Sequence, residues 1–203
     1  MSGLARLAAL GIACALAGCV TTAENSLSQN DIASMRLTGV TVSFTPDAGV
    51  QWEDGFRAYA IAKSISDDQI PTATNTPEGN AYVRTLLAPV IQTGVSKSMA
   101  GQLVGSRPVR LDVMVKRFAL ASAVQRILIG GGRGMVADAN LVDARTGAVI
   151  IAYPNLVATT YAAQGIVGTV VQAAIDSASE QSVAEKLASR YGQIYRNWLL
   201  RQS

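Results

Sequence analysis

From Arg107 to Lys116 the chain alternates: Val109, Leu111, Val113 and Val115 are interleaved with Arg110, Asp112, Met114 and Lys116. A period of two sends successive side chains to opposite faces, so this segment predicts a β-strand with one apolar and one largely charged face. Residues 35–44, carrying Leu37, Val40, Val42 and Phe44 ahead of Thr45-Pro46-Asp47, predict an earlier strand closed by a turn. Two further apolar runs, 122–129 and 135–142, flank Gly130-Gly131-Gly132-Arg133-Gly134. Asp143 and Thr146-Gly147 then make a turn, and a return strand over 149–153 bends at Pro154 and continues through Val157 and Thr159. Strand, turn and strand at this spacing predict an antiparallel meander.

Elsewhere the period lengthens to that of a helix. Trp52, Phe56, Tyr59, Ala60 and Ile61 fit a short amphipathic helix within 50–66, and 67–80, with two prolines, reads as a loop. Thr76 is placed as an N-cap with Pro77 at the first helical position and Glu78 in the first turn. Leu87, Ile91, Val95, Met99 and Leu103 then form a core-directed stripe. Pro89 removes a backbone donor, so a kink near 85–87 or a helix starting there is expected. Residues 165–178 are rich in Gly, Ala and Val and read as helical. From Gln181 onward Val183, Leu187, Tyr191, Ile194 and Trp198 predict an amphipathic C-terminal helix that packs on a sheet. The expected fold is α+β: an antiparallel sheet of about four strands, packed on one face by the central helix and the C-terminal helix.

The first apolar run has a different meaning. Arg6 is followed by apolar residues 7–17, too short a run to cross a ~30 Å hydrocarbon core, which takes about 20 helical residues. It fits the h-region of a signal peptide. Leu16-Ala17-Gly18-Cys19 closes it and resembles the lipobox of bacterial lipoproteins. That resemblance implies cleavage before Cys19, diacylglyceryl transfer to its thiol and acylation of the new amino group. Several acyl chains give stable membrane attachment where one is marginal. Val20, where family sorting rules tie aspartate to inner-membrane retention, implies the outer membrane. The organisation that follows is a signal peptide over 1–18, an acylated cysteine and polar tether over 19–34, and a single α+β domain over 35–203. Residues 21–30 have the Ser, Thr, Asn and Gln content of a solvated linker, the alternative being a short capped helix from Ser28.

Composition narrows the chemistry. The sequence holds no histidine and two cysteines, Cys14 in the removed segment and Cys19 at the acylation site. Imidazole bases, Ser–His triads, thiolate catalysis and internal disulfides are therefore not expected. Without Arg6, 16 of the 17 Lys and Arg side chains face 14 Asp and Glu, a balance that predicts neither nucleic-acid binding nor strong attraction to anionic lipid head groups. The glycine cluster lacks the lysine and hydroxyl of a P-loop and the strand–helix setting of a dinucleotide site. It reads as a hairpin tip or bulge, or as a loop that contacts a partner through Gly130, Gly131, Gly132, Arg133 and Gly134. Of the carboxylates, Glu53-Asp54, Asp67-Asp68 and Asp143 sit in turn-like sequence, and Asp112 and Asp138 lie within strands where burial would matter. A lysine-assisted serine site would draw on Ser96 or Ser98 with Lys63, Lys97 or Lys116. No catalytic or metal-binding residue is assigned, and no cofactor is expected beyond the covalent lipid on Cys19.

Residues 105–113, then Val115 with Arg117-Phe118, then Val142-Asp143-Ala144-Arg145-Thr146-Gly147-Ala148-Val149, resemble small uncharacterised envelope lipoproteins of Gram-negative bacteria, particularly alphaproteobacteria. More distantly they resemble the auxiliary lipoproteins of lipid-transport and secretion machines. The resemblance implies a non-catalytic binding or assembly accessory, lipid-anchored at the periplasmic face of the envelope, with the membrane and an envelope protein as partners. A periplasmic carrier of a lipid or apolar ligand, and a hydrolase using carboxylates, are the alternatives.

Overall fold

The computed structural model describes residues 23–120, 133–160 and 182–202. In chain order these form α1 (Gln29–Ser34), β1 (Met35–Gln51), α2 (Glu53–Lys63), a 3-10 turn (Asp67–Gln69), α3 (Ile70–Thr74), α4 (Pro77–Met99), β2 (Arg107–Leu120), β3 (Arg133–Asp143), β4 (Val149–Thr160) and α5 (Val183–Leu200). The four strands lie in one sheet in sequence order, β1-β2-β3-β4. β2 with β3 and β3 with β4 pair antiparallel, as expected of the meander. β1 pairs parallel to β2, so the sheet is mixed. Parallel neighbours need a long crossover, and residues 52–106, with α2, α3 and α4, supply it.

The alternation of β2 places Val109, Leu111, Val113 and Val115 in the core, where Leu111, Val113 and Val115 lie opposite Leu141, Ala139 and Ala137 of β3 and Phe118 lies opposite Met135. α4 and α5 cover that face. α4 contributes Val83, Leu87, Ile91, Val95 and Met99, as the four-residue spacing predicts. Thr76 caps it, its hydroxyl accepting from the Gly79 N–H at 3.1 Å. Pro89 neither ends the helix nor moves its start; it lies on the exposed side of α4, as does Thr85 one turn before it. On α5 the buried stripe is Leu187, Tyr191, Tyr195 and Leu199. Ile194 and Trp198, expected on the stripe with Leu187 and Tyr191, are only part-buried and flank it. The two helices meet through glycine: a Cβ at Gly94 would lie 2.6 Å from the Glu185 carbonyl and 2.8 Å from Ala188 Cβ, and one at Gly192 would run into Ser98.

Three segments depart from the pattern read in the sequence. β1 does not stop at Phe44. Phe44 pairs with Val115 and Gly49 with Arg117, so Thr45–Ala48 bulge from the ladder and the strand resumes. Arg84 of α4 holds the bulge, its guanidinium donating to the carbonyls of Thr45, Pro46 and Ala48 while it lies 5.9 Å from the Phe44 ring centroid. Residues 67–80 are not a plain loop but contain the 3-10 turn, α3 and the first turn of α4.

Residues 23–34, expected to be mostly tether, are bound to the domain. Ser28 and Asp31 form a reciprocal capping box that starts α1, and Ile32 is buried in the core. Upstream, the Trp198 indole N–H donates to the Ala23 carbonyl at 2.6 Å, and the Asn25 amide donates to the carbonyls of Trp198 and Leu199. Arg201 donates to the carbonyls of Asn25 and Leu27. A polar composition fits both a solvated linker and a strap whose polar groups pair with a helix end. Here two last-turn carbonyls of α5 accept from Asn25, and Trp198 and Arg201 donate to carbonyls of residues 23–27.

Candidate functional site

Leu16, Ala17, Gly18 and Cys19 lie outside the described residues, as do Gly130, Gly131 and Gly132 and the expected runs 122–129 and 165–178. Arg133 and Gly134 belong to β3, pairing with Leu120 and Ala119 on one side and Thr160 and Thr159 on the other. Arg133 is 5% exposed. Arg133 is thus a covered side chain at the start of a paired strand.

The face of the sheet away from α4 and α5 holds the polar half of the alternation. Thr41 pairs with Asp112, and Asp112 with Asn140. Arg110 grips Asp112 through two bonds, Nε to Oδ1 at 2.6 Å and Nη2 to Oδ2 at 3.0 Å, and the Thr41 hydroxyl donates to the same carboxylate. Arg110 chiefly, with Thr41 adding a lesser effect, holds the Asp112 carboxyl below its ordinary pKa against the opposing effect of burial, which is larger than that of Thr41. It stays an anion satisfied by its neighbours.

Asp138 is engaged differently. Ala137 pairs with Leu156 and Ala139 with Tyr153, so β4 bulges opposite Asp138, with Asn155 at φ +53°. Asp138 Oδ1 accepts the Asn155 backbone N–H at 2.7 Å and pairs with Lys116 Nζ at 2.8 Å, while Lys116 also donates to Asn155 Oδ1. The carboxylate secures the bend at Pro154. Both candidate carboxylates are thus on the open face, part-exposed, and each has its own cation.

Asp143 opens the β3–β4 turn. Its Oδ1 accepts from the backbone N–H groups of Arg145 and Thr146, which lower its pKa, and Gly147 takes φ +74° to complete the turn. The lysines weighed as serine activators are ion-paired: Lys63 with Glu78, Lys97 with Glu185 and Lys116 with Asp138. The Ser98 hydroxyl donates to the Val95 carbonyl. Among the described residues no group of three or more Cys, Asp or Glu is placed to hold a metal ion, and no helix is long and apolar enough to cross a membrane.

The space between sheet and helices is filled by Leu87, Ile91, Leu111, Leu141, Tyr191 and Tyr195, all inaccessible to solvent. Burial drives the pKa values of both tyrosines up. Among the described residues, grooves open at the surface. One of about 530 Å³ runs between α2 and α3 past Phe56, Ile61 and Ile70, one of about 420 Å³ lies beside Arg117 and Gln51, and one of about 470 Å³ lies between β1 and the end of α4.

Two relationships could not be read from the chain. Arg84 as a clamp on the β1 bulge is one, since nothing local distinguishes it from any other helical arginine. Trp198 as the anchor of residues 23–27 is the other, although an indole at the end of an amphipathic stripe, needing a partner for its N–H, was a usable signal.

No curated protein matches the chain. In structure it is similar to a candidate lipoprotein of Caulobacter crescentus, at 16% sequence identity over 56% of this chain and 80% of that one, with a TM-score of 0.31. Residues 75–202, well over half of the sequence, match a family of unknown function, DUF6778, and the chain belongs to that family.

Proposed function

We propose that this protein is a non-catalytic, lipid-anchored accessory of the bacterial envelope, attached through Cys19 and binding a protein partner with the open face of its sheet. The observation that carries the reading is the placement of α4 and α5 on one face only. Thr41, Arg110, Asp112, Met114, Lys116, Asp138 and Asn140 share the other, with Met114 39% exposed among charges that are already paired. An apolar centre within a satisfied polar surround is how recognition surfaces are built. The same pairing counts against a hydrolase, because a general acid or base needs a carboxyl free to exchange its proton, whereas Asp112 is held as an anion. The filled interior likewise disfavours a carrier, which needs a pocket among its apolar side chains. The outer membrane is the expected destination, on the strength of Val20.

A photo-crosslinking amino acid at position 114, installed in the full chain in cells, should capture a reproducible envelope protein, whereas the same probe at position 61 should not. Absence of any product from position 114 would refute the open face as the binding surface. Anchoring is tested by Cys19→Ala: loss of fatty-acid labelling and a shift to soluble fractions are expected, and unchanged labelling would refute it.

A further inference from the structure

We propose that one end of the domain rests on the membrane surface, with Arg36, Arg107, Arg145 and Arg201 facing anionic head groups and Val104 and Val149 at the lipid–water boundary. The proposal rests on the reading of Cys19 as acylated and names the surface that follows from it. Sheet register brings these residues together. Met35 pairs with Arg107, Val109 with Asp143 and Val142 with Val149, so the starts of β1 and β2 and the β3–β4 turn share one end of the sheet. Leu37 donates to the Leu103 carbonyl, which brings residues 100–106 to that end. The last turn of α5 arrives there too, because Asn25 and Arg201 tie it to the segment that leads through α1 into β1.

Chain length makes the end selective. Ala23 is fixed to Trp198, and the four steps back to Cys19 span at most about 14 Å fully extended. An acylated Cys19 therefore keeps this end close to the bilayer, while the α2–α3 corner at the opposite end of the sheet projects away. The side chains suit that arrangement. Val104 is 76% and Val149 60% exposed, unusual for valines at the ends of a well-packed sheet. Arg36, Arg107, Arg145 and Arg201 are all exposed. The guanidinium of Arg201 spends its bonds on uncharged carbonyls, so its charge is not neutralised. Of the nearby carboxylates, Asp31 accepts from the Ser28 cap, and Asp143 is engaged by its own turn and by Arg107 at 3.5 Å, which leaves Arg36, Arg145 and Arg201 as the cations of this end with no carboxylate against them among the described residues. The far corner carries exposed Asp54, Asp67 and Asp68, while its cations Arg57 and Lys63 are paired with Glu53 and Glu78. The overall charge balance thus conceals a separation that orients the domain on an anionic surface.

The test is amide hydrogen exchange on the acylated protein in vesicles of phosphatidylethanolamine and phosphatidylglycerol, compared with the same protein in neutral detergent. Exchange in 101–106 and 144–148 should slow about fivefold or more, with no change in 64–69. About 1 M salt, which cuts the Debye length to about 3 Å, should reverse most of the slowing. The double variant Arg36→Gln, Arg145→Gln should remain acylated yet lose the slowing. Equal protection at both ends, or protection at neither, would overturn the proposal. If mass spectrometry finds Cys19 unmodified, the anchoring reading fails on its own. Coupling the Cys19 thiol of the signal-free chain to a maleimide lipid then restores the tether: the same exchange pattern supports the surface, and its absence overturns it.

Discussion

The indole N–H of Trp198 and the carbonyl of Ala23, 175 positions apart in sequence, meet at 2.6 Å and close the chain at its C-terminal helix. Replacing the indole with a phenyl ring keeps most of the apolar contact with Tyr153 and Tyr195 but removes the donor. Trp198→Phe should therefore cost about 1 kcal/mol, the net worth of one hydrogen bond, read as a lowered urea midpoint at constant slope. It should also speed cleavage after Glu24 by a glutamate-specific protease, because residues 23–27 would detach more often. Unchanged cleavage would mean that Asn25 and Arg201 hold the segment without the indole.

Gly94 allows α4 and α5 to approach until the obstacle to any Cβ is backbone, the Glu185 carbonyl and the Ser189 N–H. Backbone cannot swing aside. Alanine raises helix propensity by about 1 kcal/mol, yet forcing the helices apart costs about 1–3 kcal/mol and disturbs packing along the whole contact. Gly94→Ala should be destabilising on balance, whereas Gly39→Ala, with nothing within 4 Å of the new methyl, should leave the thermal midpoint nearly unchanged.

Tyr191 and Tyr195 occupy adjacent turns of one buried stripe but should respond oppositely to loss of the hydroxyl. Tyr191 donates to the Ala137 carbonyl at 3.2 Å, while the Tyr195 hydroxyl is buried with no hydrogen-bond partner among the described residues. Tyr191→Phe should lose about 1 kcal/mol, and Tyr195→Phe should gain a comparable amount by removing an unsatisfied polar group. Chemical denaturation of the two variants side by side checks the signs.

Much of this architecture was legible because local rules and the tertiary answer agree. The alternation of β2, the Thr76-Pro77 start of α4 and the Asp143 turn each carry their own cause within a few residues. Pairing partners do not. The β1 pattern is equally good for an antiparallel or a parallel neighbour, and only the 55-residue crossover to β2 decides between them. The stop expected at Thr45-Pro46-Asp47 failed because Arg84, 36 positions beyond Ala48, absorbs the bulge and lets the strand resume. On α5, Tyr195 displaced Trp198 from the buried stripe because the indole N–H finds its partner at the rim. The candidate carboxylates were located correctly on strands, but their meaning lay in Arg110, Thr41, Lys116 and Asn155, which no spacing within one strand could supply.

Stability should fall at both ends of the pH range, for separate reasons. Asp112 has its pKa lowered, chiefly by Arg110, so its contribution is present above the unfolded carboxyl value of about 3.9 and is lost as pH falls through the lower folded value. Asp143 and Asp31, lowered by backbone N–H donors and the Ser28 hydroxyl respectively, act in the same direction. The buried tyrosines have raised pKa values. Their neutral state is favoured in the fold, so stability is intact below the unfolded tyrosine value of about 10 and declines as pH rises above it, where the unfolded chain ionises first. Between about pH 5 and 9 the curve should be nearly flat, since the histidine that usually tilts this region is missing from the sequence. Urea midpoints across pH for the signal-free chain, Asp112→Asn and Tyr195→Phe separate the two wings. Asp112→Asn should be less stable at neutral pH with a shallower acid limb, and Tyr195→Phe should have a shallower alkaline limb. An alkaline limb as steep in Tyr195→Phe as in the parent would show that the Tyr195 hydroxyl has no part in it.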